Sequence, residues 1–216
     1  MGIIEEFRIK VPFETFREHG ARFIKKPDIS KKKDNEINSY YISYPEFLEY
    51  FKNTTEIKKH NLIIGINFVY GWMPRGLRFH SENFDEVLTI LNKAKSGQLP
   101  LTKEDLDILK ETLDHSLIGV SKLLHFINPE AFAIWDSKVY NYLMGLPEKE
   151  KVSHYKTEKA ESYLDYLDFC KELTQREEYE EIHNHICKEV EYPMSKFRTA
   201  ELIMFSTKND TKSNEK

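Results

Sequence analysis

Apolar positions recur along most of this chain at helical spacing. Phe84, Val87, Leu88 and Leu91 fall at i, i+3, i+4 and i+7, and Leu106, Leu109 and Leu113 keep the same rhythm. So do Val120, Leu123, Leu124 and Ile127 in a helix expected over about His115 to Ile127. Further stripes run through Ala160, Tyr163, Leu164 and Leu167, through Tyr179, Ile182, Ile186 and Val190, and through Phe197, Ala200 and Met204. Each would turn one face of an α-helix inward. The segment Glu56 to Trp72 is apolar nearly all round, and its length favours a buried central helix over a strand. Pro45 suits the first turn of a short helix with Phe47, Leu48 and Phe51 on one face.

Polar residues punctuate these stripes where helices should begin and end. Asn83 with Glu86, and Thr102 with Asp105, pair an N-cap with a carboxylate three residues on. Gly97 closes one helix, Pro129 another, and Asp136 opens a helix towards Met144. A short helix fits between Pro12 and Gly20, followed by the lysine-rich stretch KKPDISKKKDNEINS. No internal repeat and no second domain boundary stands out. The expectation is all-α: a single compact multi-helix domain over residues 44–206, after an irregular segment 1–43 and before a polar, disordered tail 207–216.

Composition narrows the setting. Hydrophobic residues make up 40% of the chain, enough for a core, while Gly and Pro number only 8 each. The longest apolar run, Leu62 to Met73, is broken by Gly65, Asn67 and Gly71 and falls short of the roughly 20 residues a bilayer span needs. No secretory pattern opens MGIIEEFRIK, and two cysteines, Cys170 and Cys187, make no disulfide framework. A soluble, cytoplasmic protein without a membrane partner is expected. The net charge of −4 argues against a non-specific nucleic-acid coat. Its distribution is uneven. Residues 57–81 hold Lys58, Lys59, Arg75, Arg78 and two histidines without an acid, whereas residues 145–191 are strongly acidic. A polyanion would meet the first half of the chain.

The stretch with most chemical content is SLIGVSKLLHFINPEAFAIWDSKVYNYL, Ser116 to Leu143. It describes a helix, a break at Asn128-Pro129, an apolar lead-in of Ala133, Ile134 and Trp135, and a second helix opening at Asp136. This stretch resembles the core of the helix-hairpin-helix DNA glycosylases, with Trp135-Asp136-Ser137-Lys138-Val139 matching the piece in which an aspartate opens a helix beside the flipped nucleotide. The resemblance implies that Asp136 stabilises positive charge on the deoxyribose as the base leaves, or orients the attacking group. An extruded base would then need aromatic walls, for which Trp72, Trp135 and Tyr140 are candidates. Arg75, Arg78, Gly119, Lys122, His125 and Lys138 are the candidate contacts to the nucleic-acid backbone.

The chain also departs from that pattern. The family hairpin uses two glycines to bring backbone amides to a phosphate; here Gly119 stands alone. The Schiff-base lysine of the bifunctional branches would fall near Ile118, one turn before Lys122, so lyase chemistry is not expected. Two cysteines exclude the four-cysteine iron–sulfur cluster of other branches, and no cofactor is expected. The functional expectation is a DNA-binding protein with monofunctional base excision as its implied activity. The alternative is a non-catalytic interaction module that kept only the glycosylase-like helices.

Each candidate has a plainer reading. Asp136 could serve only as a helix cap, Trp72 and Trp135 only as core, and Lys122 with His125 only as a solvated helix face. Glu201 interrupts an apolar stripe and should pair with Arg198 or another base. His183, His185 and Cys187 lack the four-ligand spacing of a zinc site, so no metal is expected. GWMPRGLRFH, Gly71 to His80, sets an indole beside two arginines.

Overall fold

The structure, a computed structural model, describes residues 11–23, 39–72, 83–147, 150, 152–190 and 192–207. These residues are all-α, with eleven helices and no strand among them. None of these helices is long and apolar enough to cross a membrane. Contacts gather the chain into two compact units, one made of Met1–Ile24 with Ala133–Lys216, the other of Lys25–Phe132. The lysine-rich stretch from Lys25 to Asn38, Arg75 and Arg78, and the tail from Lys208 lie outside the described residues.

The continuous unit contains α1, or Ser39–Lys52, α2, Lys59–Trp72, α3, Phe84–Lys95, α4, Lys103–Thr112, and α5, Leu117–Ile127. α5 touches all four of the others. Every residue of α5 is buried except Ile118, which is half-buried. Its sequence LIGVSKLLHFI is apolar except for Ser121, Lys122 and His125, and a helix of that kind belongs in a core. α2 was the segment expected to be central. It buries Leu62, Ile66 and Val69 but leaves Ile64 37% exposed and Asn67 at the surface, so one side stays open. Gly65 explains how closely α2 approaches its neighbours. A Cβ there would come within 2.6 Å of the Phe51 ring and 2.9 Å of Leu123.

The helix ends follow the polar punctuation. Thr102 and Asp105 form a complete capping box on α4. The Asn83 side chain accepts from the Glu86 amide, while the Glu86 carboxylate accepts from the Asn83 side-chain amide rather than from its backbone. Gly97, at φ +75, ends α3 with the Gln98 amide bonded to the Lys93 carbonyl. Two expectations shift. Pro45 lies inside α1 rather than at its start, so the proline's missing N–H falls in mid-helix. Asp114 and His115 take φ of 52° and 58°, a left-handed turn, so α5 opens at Leu117 with Ser116 as its cap.

The other unit contains α6, Phe13–Ala21, from the N-terminal part. It continues with α7, Ser137–Leu143, α8, His154–Thr157, α9, Ala160–Thr174, α10, Tyr179–Val190, and α11, Lys196–Ser206. α11 plays the central part, touching α6, α7, α9 and α10. All residues from Phe197 to Met204 are buried, including Arg198, Thr199 and Glu201. Arg198 and Glu201 pair directly, as the interrupted apolar stripe implied. Gly20 of α6 presses on Ile182 and Ile203, with 2.6 Å and 3.2 Å left for a Cβ.

Candidate functional site

Asp136 is the residue on which the functional reading turns, and its geometry follows from the local sequence. Asn128 ends α5: its amide bonds to the Leu124 carbonyl and its side chain donates to the Ala94 carbonyl at 2.9 Å. The chain then leaves the helix and runs through Ala133, Ile134 and Trp135, all buried. At Asp136 the backbone is extended, φ −151° and ψ 158°, the ordinary conformation of an N-cap. Oδ1 of Asp136 accepts from the Lys138 amide at 3.0 Å and from the Ser137 hydroxyl at 3.4 Å. Among the described residues Oδ2 takes no hydrogen bond, and the side chain is only half-buried. The cap therefore uses one carboxylate oxygen and leaves the other to solvent or a ligand.

The lead-in to Asp136 is held by a cage of aromatic side chains. Trp135 is fully buried and donates its indole N–H to the Thr157 carbonyl at 2.9 Å. Its ring lies 5.0 Å from that of Tyr166 and 5.9 Å, edge-on, from that of Tyr140. The hydroxyls of Tyr163 and Tyr166 donate to the carbonyls of Ala133 and Ile134, at 3.0 Å and 3.2 Å. Both tyrosines are 0% exposed. Burial, with Cys170 alongside, pushes both phenols well above their ordinary range, so they remain protonated donors. Burial likewise pushes up the Cys170 thiol, which stays neutral. On the open side of α7, the Lys138 ammonium sits over the Phe205 ring at 4.6 Å.

Of the expected pocket walls, Trp135 and Tyr140 thus lie directly beside the Asp136 lead-in, packed as core. Trp72 belongs to the other unit. It is half-buried, donates to Ser43 Oγ at 3.0 Å, stacks on Tyr44 at 5.8 Å and meets Phe126 edge-on at 5.1 Å.

The expected backbone contacts on α5 are placed differently from a solvated face. His125 is 0% exposed, with Nδ1 at 2.7 Å from the Phe132 carbonyl and Nε2 at 2.8 Å from the Tyr44 hydroxyl. Lys122 is 9% exposed. Gly119 is buried, and its N–H donates to Ser116 Oγ at 3.1 Å. The physical reason is common to all three. α5 is surrounded by helices, so a polar residue at i+3 shares the burial of its apolar neighbours, and the one hairpin-type amide closes the Ser116 cap. Lys138, by contrast, is exposed.

The His183, His185 and Cys187 cluster has internal partners. His183 Nδ1 is 3.1 Å from Thr199 Oγ1, and His185 Nε2 is 2.9 Å from the Phe23 carbonyl. Cys187 Sγ is 3.9 Å from Nδ1 and 3.8 Å from Nε2 of His183, too evenly placed for a bond directed at either nitrogen. Among the described residues no three His, Cys, Asp or Glu side chains gather to hold a metal ion.

The sequence-based reading missed Tyr44, Thr157, Tyr163 and Tyr166 as site-supporting groups. Tyr163 reads only as part of an apolar stripe with Leu164 and Leu167, and Tyr166 is not in that stripe. The buried face runs through Tyr163 and Tyr166 while Leu164 and Leu167 are half-buried, and pattern alone does not tell which carbonyl a buried phenol will reach. In comparisons with known proteins, no family model, no curated protein and no solved structure matches this chain.

Proposed function

We propose that this protein binds DNA and releases a base from it, with Asp136 as the carboxylate that stabilises positive charge on the sugar. The N-glycosidic bond would break with its electron pair leaving on the base, and water would add its hydroxyl at the anomeric carbon and give up a proton, by way of solvent, to the departed base. One observation carries the reading. Asp136, a half-buried residue, caps α7 through Oδ1 alone, while Oδ2, without a hydrogen bond among the described residues, remains available to a developing cation. A carboxylate fixed in this way needs no reorganisation as charge develops, and that is the efficient form of electrostatic catalysis.

A second reading, a non-catalytic interaction module, has its own support. Gly119 uses its amide inside the Ser116 cap, and Lys122 and His125 are buried, so α5 offers no obvious phosphate contact.

Base release from a panel of duplexes carrying single damaged or mismatched bases, at low and moderate salt, separates the two. Asp136→Asn retains a good N-cap but removes the charge. Release that falls by about 100-fold or more in this variant, with binding kept, supports catalysis. Salt-sensitive binding without release in the wild type supports the module. Absence of binding at either salt eliminates base release and a nucleic-acid module alike, and leaves a module that binds protein.

A further inference from the structure

The segment that delivers Asp136 to its cap is held at three successive residues, all from the stretch that includes α8 and α9. Ala133 O accepts from Tyr163, Ile134 O accepts from Tyr166, and Trp135 Nε1 donates to Thr157 O. Tyr163 and Tyr166 stand one turn apart on α9, so a single rigid helix supplies both hydroxyls. Their rings lie 6.4 Å apart, and that of Tyr166 also packs on Trp135. Every aromatic ring of this clamp is fully buried. Simple satisfaction of two carbonyls would not require donors from one helix face, aimed at consecutive residues that end at a half-exposed carboxylate.

We propose that Tyr163 and Tyr166 are positioning residues for Asp136: by fixing the carbonyls of Ala133 and Ile134 they set where the Asp136 carboxylate sits and keep its Oδ1 on the Lys138 amide. The catalytic consequence rests on the role proposed for Asp136; the geometric one does not. The clamp acts through the backbone and touches no substrate. Loss of one phenolic hydroxyl frees one carbonyl, loosens the lead-in, and lets Oδ1 leave the Lys138 N–H more often.

The test compares Tyr163→Phe and Tyr166→Phe with Tyr179→Phe in the full chain. Tyr179 is an apt control. It is equally buried in the same unit, and its hydroxyl bonds to the Lys196 carbonyl at 2.9 Å and to Thr199 at 2.7 Å, within contacts of α10 and α11. The first readout is exchange of the Lys138 amide, followed by NMR and referenced to global stability. We expect exchange to speed up by about tenfold in each clamp variant and to stay unchanged in Tyr179→Phe. The second readout is single-turnover base release on whichever lesion the wild type processes. We expect a loss of about tenfold in rate with DNA affinity unchanged.

Equal exchange of Lys138 in all three variants would overturn the proposal, as would a rate loss that merely tracks weakened binding. If the wild type releases no base, the catalytic role of Asp136 falls, and the exchange comparison still decides whether the clamp positions it. The two clamp variants are independent, so if one fails to fold the other carries the measurement.

Discussion

α5 and α11 occupy equivalent places, each the central helix of its unit, yet they are made of different material. α5, LIGVSKLLHFI, is mostly apolar and buries Ser121, Lys122 and His125 among its apolar residues. His125 is satisfied by groups from elsewhere in its unit, the Tyr44 hydroxyl and the Phe132 carbonyl. α11, KFRTAELIMFS, buries opposite charges on its own surface, with Arg198 and Glu201 paired one turn apart. A buried charge must find a partner, and α11 carries it along the same helix. A buried imidazole can take its partners from the fold. The two helices therefore differ in what a substitution would expose.

The largest expected effect follows from α11. Glu201→Ala breaks the buried ion pair with Arg198 and should cost about 3–5 kcal/mol. Replacing both members with apolar residues of similar volume, Arg198→Met with Glu201→Leu, should recover most of that loss, because desolvation of both charges is then avoided. Urea unfolding of the two variants and the wild type measures the difference. A double variant no more stable than Glu201→Ala would show that the pair does more than satisfy itself.

The same contrast explains how far the chain could be understood from its residues. The all-α class was legible because stripes such as Phe84, Val87, Leu88 and Leu91 and caps such as Thr102 with Asp105 are local signals, and local signals fix helices. The Arg198–Glu201 pair was legible for the same reason, since both partners sit on one helix. The break at Asn128-Pro129 and the helix opening at Asp136 also declare themselves in sequence. His125 does not. Its spacing from Lys122 suggests a polar face, and only the helices around α5 make that face interior. The Tyr163 and Tyr166 clamp is non-local as well, joining residues about 30 positions apart. The unit formed by the two ends of the chain has no boundary that composition could mark, because its two halves are distant in sequence. Uneven charge gave a partial hint: the acidic residues 145–191 all lie in that unit, and residues 57–81 in the other.

A second, smaller effect sharpens the comparison from the side of α5. His125→Leu keeps the apolar character of its surroundings but removes the imidazole that bonds to the Tyr44 hydroxyl and the Phe132 carbonyl. The expected cost is about 2–3 kcal/mol, below that of breaking the buried ion pair. Chemical denaturation checks the magnitude, and near-ultraviolet circular dichroism should report the disturbed Tyr44, Trp72 and Phe126 cluster. A loss equal to that of Glu201→Ala would remove the distinction between the two central helices.

The smallest effect concerns pH, where His19 and His183 of one unit and Asp105 of the other should respond in different windows. In the unit built from both chain ends, burial lowers the pKa of His19, with Arg22 adding to the shift and Glu18 opposing it. Burial also lowers that of His183, with Glu180 opposing and Lys196 adding. A histidine with a depressed folded pKa binds fewer protons folded than unfolded, so its contribution is complete above the ordinary value of 6.5 and is lost as pH falls below it. In the other unit, burial of Asp105 would raise its pKa, but hydrogen bonds from Lys93, 2.8 Å away, and from the Thr102 amide hold it lower overall. That contribution is present above the ordinary carboxylate value of 3.8 and is lost only as pH falls further. Melting temperature followed from pH 8 downward should therefore begin to fall near pH 6.5 and lose a further increment below about pH 4. His19→Asn with His183→Asn should flatten the first fall and leave the second, and Asp105→Asn should do the reverse. Flattening of both falls by either change would overturn this assignment of the two windows.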